Sequence, residues 1–139
     1  MRVLVDTSVW VDFFNGYPSP HAETLARLIR EEADLVTCGL VVSEVLQGLR
    51  QSKSLLAIES HFREMDWLSP KEPDTYIEAA DLFRRLRVRG LTIRSTIDCV
   101  IANLAAHHDA LIFSKDRDLT LIVESHLLDL RAMPIVLQN

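Results

Sequence analysis

The chain has 139 residues, which suits one domain with a single core, and 48% are hydrophobic, which excludes a disordered chain. No run approaches eighteen apolar residues, so no helix is expected to span a membrane, and the acid at position 6 comes too early for a secretory leader. A formal charge of -5 argues against a protein that coats nucleic acid, but not against a nuclease, whose active-site acids count in that sum.

In chain order, Arg2 to Val5 reads as a buried central strand that ends abruptly in Asp6. Ser8 to Phe14 follows as a short helix, capped by Thr7 or Ser8 and stopped at Asn15-Gly16. His21 to Glu32 carries Leu25, Leu28 and Ile29 at helical spacing, and Leu35 to Cys38 is a second strand. Leu40 to Leu49 presents Val41, Val42, Val45, Leu46 and Leu49 on a helix, and Lys53 to Glu64 is a further amphipathic helix. Met65 to Leu68 suits a short strand. Pro73 to Arg89 reads as a long helix with Tyr76, Ile77, Ala80, Phe83 and Leu86 on one face, closed by Gly90. Ser95 or Thr96 caps a helix to about His108. Ala110 to Phe113 is a strand, Asp116 to Ile122 a short helix or turn, and Ile135 to Leu137 a terminal strand. Strands alternating with helices imply a single α/β domain over residues 1–139: a three-layer α/β/α sandwich around a mainly parallel sheet, with a small helical arm after the second strand.

Cys38 and Cys99 each lie in an apolar run without a CxxC partner. That fits two buried free thiols in a reducing cytoplasm better than a disulfide or a zinc site. The five histidines do not fall near the acids discussed next, and His107-His108 at a helix end read as surface or capping residues. The basic block Arg84, Arg85, Arg87, Arg89 cannot all face one way on a helix, whereas Arg94, just before the Asp98 helix, is placed to touch a phosphate group of a ligand.

Asp6, Glu44, Asp98 and Asp116 each lie near a strand-to-helix transition. In a parallel sheet those transitions share the carboxyl edge, where open α/β folds put their chemistry. Carboxylates gathered there repel one another unless cations bind. Mg²⁺ or Mn²⁺ favours oxygen ligands, and such ions activate water and clamp phosphate in phosphodiester hydrolysis. Each residue also has a plainer reading: Asp6 as a helix cap, Asp98 as a first-turn acid, Glu44 as a solvated side chain, Asp116 and Asp118 as turn residues.

Four stretches sharpen the choice: Val5-Asp6-Thr7-Ser8-Val9-Trp10-Val11-Asp12, Val41-Val42-Ser43-Glu44-Val45-Leu46-Gln47-Gly48, Ile93-Arg94-Ser95-Thr96-Ile97-Asp98-Cys99-Val100-Ile101-Ala102 and Ile112-Phe113-Ser114-Lys115-Asp116-Arg117-Asp118-Leu119. In this order, over nearly the whole chain, they resemble the PIN-domain family, and specifically its VapC-type toxin ribonucleases. The resemblance implies a metal site of Asp6, Glu44, Asp98 and Asp116, Mg²⁺- or Mn²⁺-dependent cleavage of RNA, a homodimer, and inhibition by a VapB-like antitoxin. Thr7, Ser8, Ser114 and Asp118 are candidates to support that site, and Asp12 matches the family but also suits a structural role. Leu119 stands where the family usually has an aromatic, a departure that changes packing rather than the acid set. An antitoxin could insert a basic side chain among the acids, or lay a helix into an apolar groove of the early helices; Trp10, Phe13 and Phe14 are candidates for that groove or for the dimer face, with the core the stronger reading for Trp10 and Phe13. Competing readings are a housekeeping RNA-processing nuclease without an antitoxin, an inert PIN-like interaction domain, and an acidic phosphoacceptor domain.

Overall fold

Val3-Leu4-Val5 is buried at every position and forms β1 (Val3–Val5), one of the two inner strands of the sheet. The computed structural model describes residues 1–49 and 52–135. After β1 come α1 (Thr7–Phe14), α2 (Pro20–Arg30), β2 (Leu35–Thr37), α3 (Gly39–Gly48), a 3₁₀ turn at Ser52–Ser54, α4 (Leu55–Glu64) and β3 (Asp66–Trp67). α5 (Asp74–Val88), α6 (Thr96–His107), β4 (Leu111–Phe113) and α7 (Arg117–Ser125) complete the order. The strands run in the order β3-β2-β1-β4, every pair parallel. Val3 stands opposite Leu35 on one side and Leu111 on the other, so the carboxyl ends of β1, β2 and β4 share one edge. No described helix is long and apolar enough to cross a membrane.

The core gathers the buried strand residues with Val9, Trp10, Leu25, Val41, Val45, Leu86, Ile101 and Ile122. Trp10, expected near a binding groove or the core, is fully buried, stacked on Phe14 and edge-on to Phe62 of α4. The helical arm after β2 therefore folds back onto α1. Cys38 and Cys99 are buried free thiols, as expected.

Several local expectations need correction. α1 starts at Thr7 and its cap is Asp6, whose side chain accepts from the Ser8 N–H; neither Thr7 nor Ser8 caps it. α2 starts at Pro20 under a Ser19 cap and stops at Arg30, because Glu32 turns the chain through a left-handed conformation (φ 53°). α4 loses Lys53 and Ser54 to the 3₁₀ turn. α7 is longer than expected, running to Ser125 under an Asp116 cap.

The largest correction concerns α5. Its buried residues are Thr75, Ala79, Leu82 and Leu86, while Tyr76, Ile77 and Ala80 are exposed and Phe83 is half-buried. The observed face is turned by about one residue from one centred on Tyr76 and Ile77: the small Thr75 and Ala79 permit close approach to α6, and Thr75 Oγ1 is occupied accepting from the Lys71 N–H (2.8 Å). Val136 and Leu137 of the expected terminal strand lie outside the described residues; just before them, Ala132 makes a parallel bridge to Ile112.

Candidate functional site

The two junctions that follow β1 and β4 are stitched together by serines. Ser8 Oγ and Ser114 Oγ each donate to Asp6 Oδ2 at 2.9 Å. The Lys115 N–H donates to Ser8 Oγ (3.2 Å) and the Asp116 N–H to Ser114 Oγ (2.9 Å). Asp6 is thus fixed by hydroxyls from both junctions, and the backbone of Asp116 is tied to one of the same hydroxyls. Asp116 Oδ2 also accepts from the N–H groups of Asp118 and Leu119. Both acids cap helices, so the plain structural reading of each is realised together with the functional one.

Glu44 reaches the same place from the middle of α3, and Asp98 from the first turn of α6, which Ser95 rather than Thr96 caps. All four acids line one open cavity of about 420 Å³, together with Thr7, Ser8, Arg94, Ser95, Ile97 and Asp118. Convergence follows from topology: parallel strands deliver every strand-to-helix junction to one edge. Ser114 lies behind the cavity wall, bonded to Asp6. Thr7 lines the cavity, but its buried Oγ1 has no hydrogen-bond partner among the described residues, so its side chain does not orient Asp6.

Asp118 has a larger place than its sequence signal suggested. One carboxylate oxygen each from Asp98, Asp116 and Asp118 lie within 4.8 Å of one another. Asp118 is 1% exposed, and its Oδ1 is buried without a partner among the described residues. Its Oδ2 accepts from both the backbone N–H and Nε of Arg94, each at 3.1 Å. The signal for it was its spacing, two residues past Asp116 on the first turn of α7, which carries its side chain back toward the same edge.

Charge and burial pull these groups apart. Burial and then the charges of Asp116, Asp6, Asp118 and Glu44 push Asp98 up to about 7. Burial raises Asp6 despite its two serine hydroxyls, and burial together with Asp6 and Asp116 raises Glu44. Asp118 is buried as well, yet Arg94 outweighs that and holds it below the usual carboxylate range. Arg94 also reaches Asp116 at 3.4 Å while its side chain stays 71% exposed, so its guanidinium spans from the acids to solvent. Asp12 proves structural: buried in α1, it takes the ammonium of Lys115, which also lies over the Tyr17 ring.

The donor set is made of oxygen alone, crowded with like charge, and includes an orphaned buried oxygen at Asp118. Those features fit a hard divalent cation, and the set lacks the cysteine and histidine ligands on which most zinc sites draw. Among the described residues, no histidine lines this cavity. His107 instead pairs with Glu78, and His108 meets the Ser69 carbonyl. A larger cleft of about 560 Å³ lies between α1, α3 and α4, lined by Val11, Phe14, Leu49 and Ile58 among others, with no acid among its described lining residues.

Residues 3–124 match the family model described as PIN domain. Ribonuclease VapC11 of Mycobacterium tuberculosis is 33% identical over 121 residues, covering 86% of this chain and 90% of the relative. Among solved structures, VapBC-1 from nontypeable Haemophilus influenzae aligns with a TM-score of 0.67 at 20% identity, over 95% of this chain and 98% of that one. A toxin-antitoxin complex from Klebsiella pneumoniae aligns with a TM-score of 0.65 at 15% identity, over 84% and 88%.

Proposed function

The chain belongs to the PIN-domain family, among its VapC-type members, and from that membership we propose that it is a divalent-metal-dependent endoribonuclease, the toxin of a toxin–antitoxin pair. The observation that carries the reading is the cavity in which Asp6, Glu44, Asp98 and Asp116 meet with Asp118. Holding five carboxyl groups around one opening is costly without a counter-charge.

Asp6, Glu44, Asp98 and Asp116 would hold Mg²⁺ or Mn²⁺, with the free Oδ1 of Asp118 beside them. Such a cation supplies activation of water and neutralisation of the departing 3′ oxygen in phosphodiester hydrolysis. The protein's own part is preorganisation. Ser8 and Ser114 lock the Asp6 carboxylate in one orientation, and the backbone N–H groups of α7 lock Asp116. Asp98, at about 7, is the acid for which a proton and a cation compete most directly. Arg94 keeps N–H groups free on its exposed side, suited to a phosphate oxygen of RNA while its inner side stays on Asp118.

The partner reading rests on the solved relatives and on the larger cleft, where Val11, Phe14, Leu49 and Ile58 line the wall beside Asn15 and Ser54. We assign the cleft between α1, α3 and α4 to a VapB-like antitoxin helix, with a basic side chain reaching the acids. The homodimer rests on the family resemblance alone. The test is cleavage of total RNA by the purified protein with Mg²⁺, Mn²⁺ or chelator, beside Asp6→Asn. Asparagine keeps the helix cap, so the variant is expected to fold. Discrete metal-dependent fragments that the folded variant does not produce support the proposal; identical patterns from both proteins overturn it.

A further inference from the structure

Tyr17 stands 60% exposed in the loop between α1 and α2. A single exposed aromatic is ordinary on a protein surface. This one is held in place. Its N–H donates to the Asp12 carbonyl and its carbonyl accepts from the Ser19 N–H, each at 2.9 Å. Gly16, at φ 68°, supplies the left-handed turn that brings the chain back to make these bonds. The Lys115 ammonium sits over the ring, 5.4 Å from its centre, and is itself held by the Asp12 carboxylate. A cation over a phenol face is attracted by the ring's quadrupole. Asp12 therefore fixes the loop through its carbonyl and the cation through its side chain.

What separates Tyr17 from other exposed aromatics is the residue it touches. Lys115 lies between Ser114, which donates to Asp6, and Asp116, which lines the cavity. The Lys115 N–H is bonded to Ser8 Oγ, the second hydroxyl on Asp6. The ring is thus anchored to the β4–α7 junction that carries the acids. Trp67, by contrast, stands on β3 at the opposite edge of the sheet from β4, and Tyr76 stands on α5.

The charge of Lys115 is already committed to Asp12. What this place offers a ligand is an aromatic face on a fixed loop. Bases of single-stranded RNA are held by stacking on such faces, whichever base is present. We propose that Tyr17 is a stacking platform for a base of the RNA strand whose phosphate lies at the acids. This rests on the ribonuclease reading and deepens it by naming a base subsite beside the phosphate site. Arg94 meets Asp116 and Tyr17 meets Lys115, so neighbouring residues of one junction carry a phosphate contact and a base contact. A base paired within a duplex cannot reach such a platform, so the subsite selects unpaired RNA.

The experiment is fluorescence anisotropy with two labelled strands of equal length, a short oligoadenylate and its abasic counterpart, in the presence of Mg²⁺. Every protein carries Asp6→Asn so that the RNA stays intact, and circular dichroism checks folding. Tyr17→Ala should weaken oligoadenylate binding about tenfold and leave binding of the abasic strand unchanged. Tyr17→Phe and Tyr17→Trp, which keep an aromatic face, should bind oligoadenylate at least as well as the parent. Equal affinity of Tyr17→Ala and its parent for oligoadenylate, or an equal loss on both strands, overturns the platform. So does a parent that shows no preference for oligoadenylate over the abasic strand, because stacking accepts every base. Cleavage of total RNA by the chain with Asp6 intact tells the two readings apart. Fragments from a protein whose Tyr17→Ala variant shows no base-dependent loss leave the nuclease standing and overturn the platform alone. A base-dependent loss in a protein that yields no fragments keeps the platform and overturns the nuclease.

Discussion

At Asp98, burial and four neighbouring carboxylates act in the same direction. A carboxyl group with a raised pKa binds its proton more tightly folded than unfolded, so in that window stability falls as pH rises. For Asp98 the window runs from its ordinary 3.8 to about 7. With chelator present, the thermal midpoint should drop as pH rises through that range, and Asp98→Asn should flatten the decline. Asp12 and Asp118, held low by Lys115 and Arg94 despite burial, act in the opposite sense and withdraw stability as pH falls below 3.8. Near neutral pH, Asp98→Asn should stabilise the metal-free fold by about 1–2 kcal/mol, allowing for solvent screening at the open cavity, while lowering RNA cleavage by about 100-fold or more. Thermal melts and initial rates on the same preparations check both. Ser114→Ala removes the hydroxyl that joins Asp6 to the Asp116 N–H. It should weaken Mn²⁺ binding or activity by about 10-fold to 100-fold with little change in fold, read by a metal titration. Asp6, Asp98 and Asp116 were legible as residues because each follows or enters an apolar run at a strand-to-helix transition; Glu44, expected near such a transition, reaches the cavity from the middle of α3. The part of Asp118 was not, since its orphaned oxygen and its grip by Arg94 exist only once residues 94 and 118 meet.

Helices show where periodicity informs and where it misleads. α6 is apolar on most sides and is buried over seven consecutive residues, Cys99 to Ala105, so no choice of face arises. α5 is amphipathic, and there a ranking by hydrophobicity picked Tyr76, Ile77 and Ala80, which are exposed, over Thr75 and Ala79, which are buried. The observed face predicts a contrast in stability. Leu86→Ala, emptying a fully buried position, should cost about 2–5 kcal/mol, whereas Tyr76→Ala should stay within about 0.5 kcal/mol. Urea denaturation at low protein concentration measures both; equal losses would show that the assigned face is wrong. The caps carry a similar lesson. A Thr-Ser pair after an Asp permits three capping residues, and the backbone chose Asp6, the residue that also lines the cavity.

For the whole molecule, the acids and the cation are linked through folding. A ligand that binds only the folded state stabilises it by about 2.7 kcal/mol at a hundred times its dissociation constant. Addition of Mg²⁺ or Mn²⁺ should therefore raise the thermal midpoint of the parent, and raise it less in Asp6→Asn and Asp98→Asn. Equal shifts in all three proteins would place the cation elsewhere. The sequence by itself determined the α/β class, the order of the elements and the candidate acids, because apolar periodicity and turn residues are local properties of the chain. The three-dimensional fold decided that Ser8 and Ser114 together hold Asp6, that Asp118 shares a cluster with Asp98 and Asp116, and which side of α5 faces solvent. Those outcomes depend on pairs far apart in sequence, such as Ser114 with Asp6 and Arg94 with Asp118, whose energies arise only when the parallel strands bring their carboxyl ends to one edge.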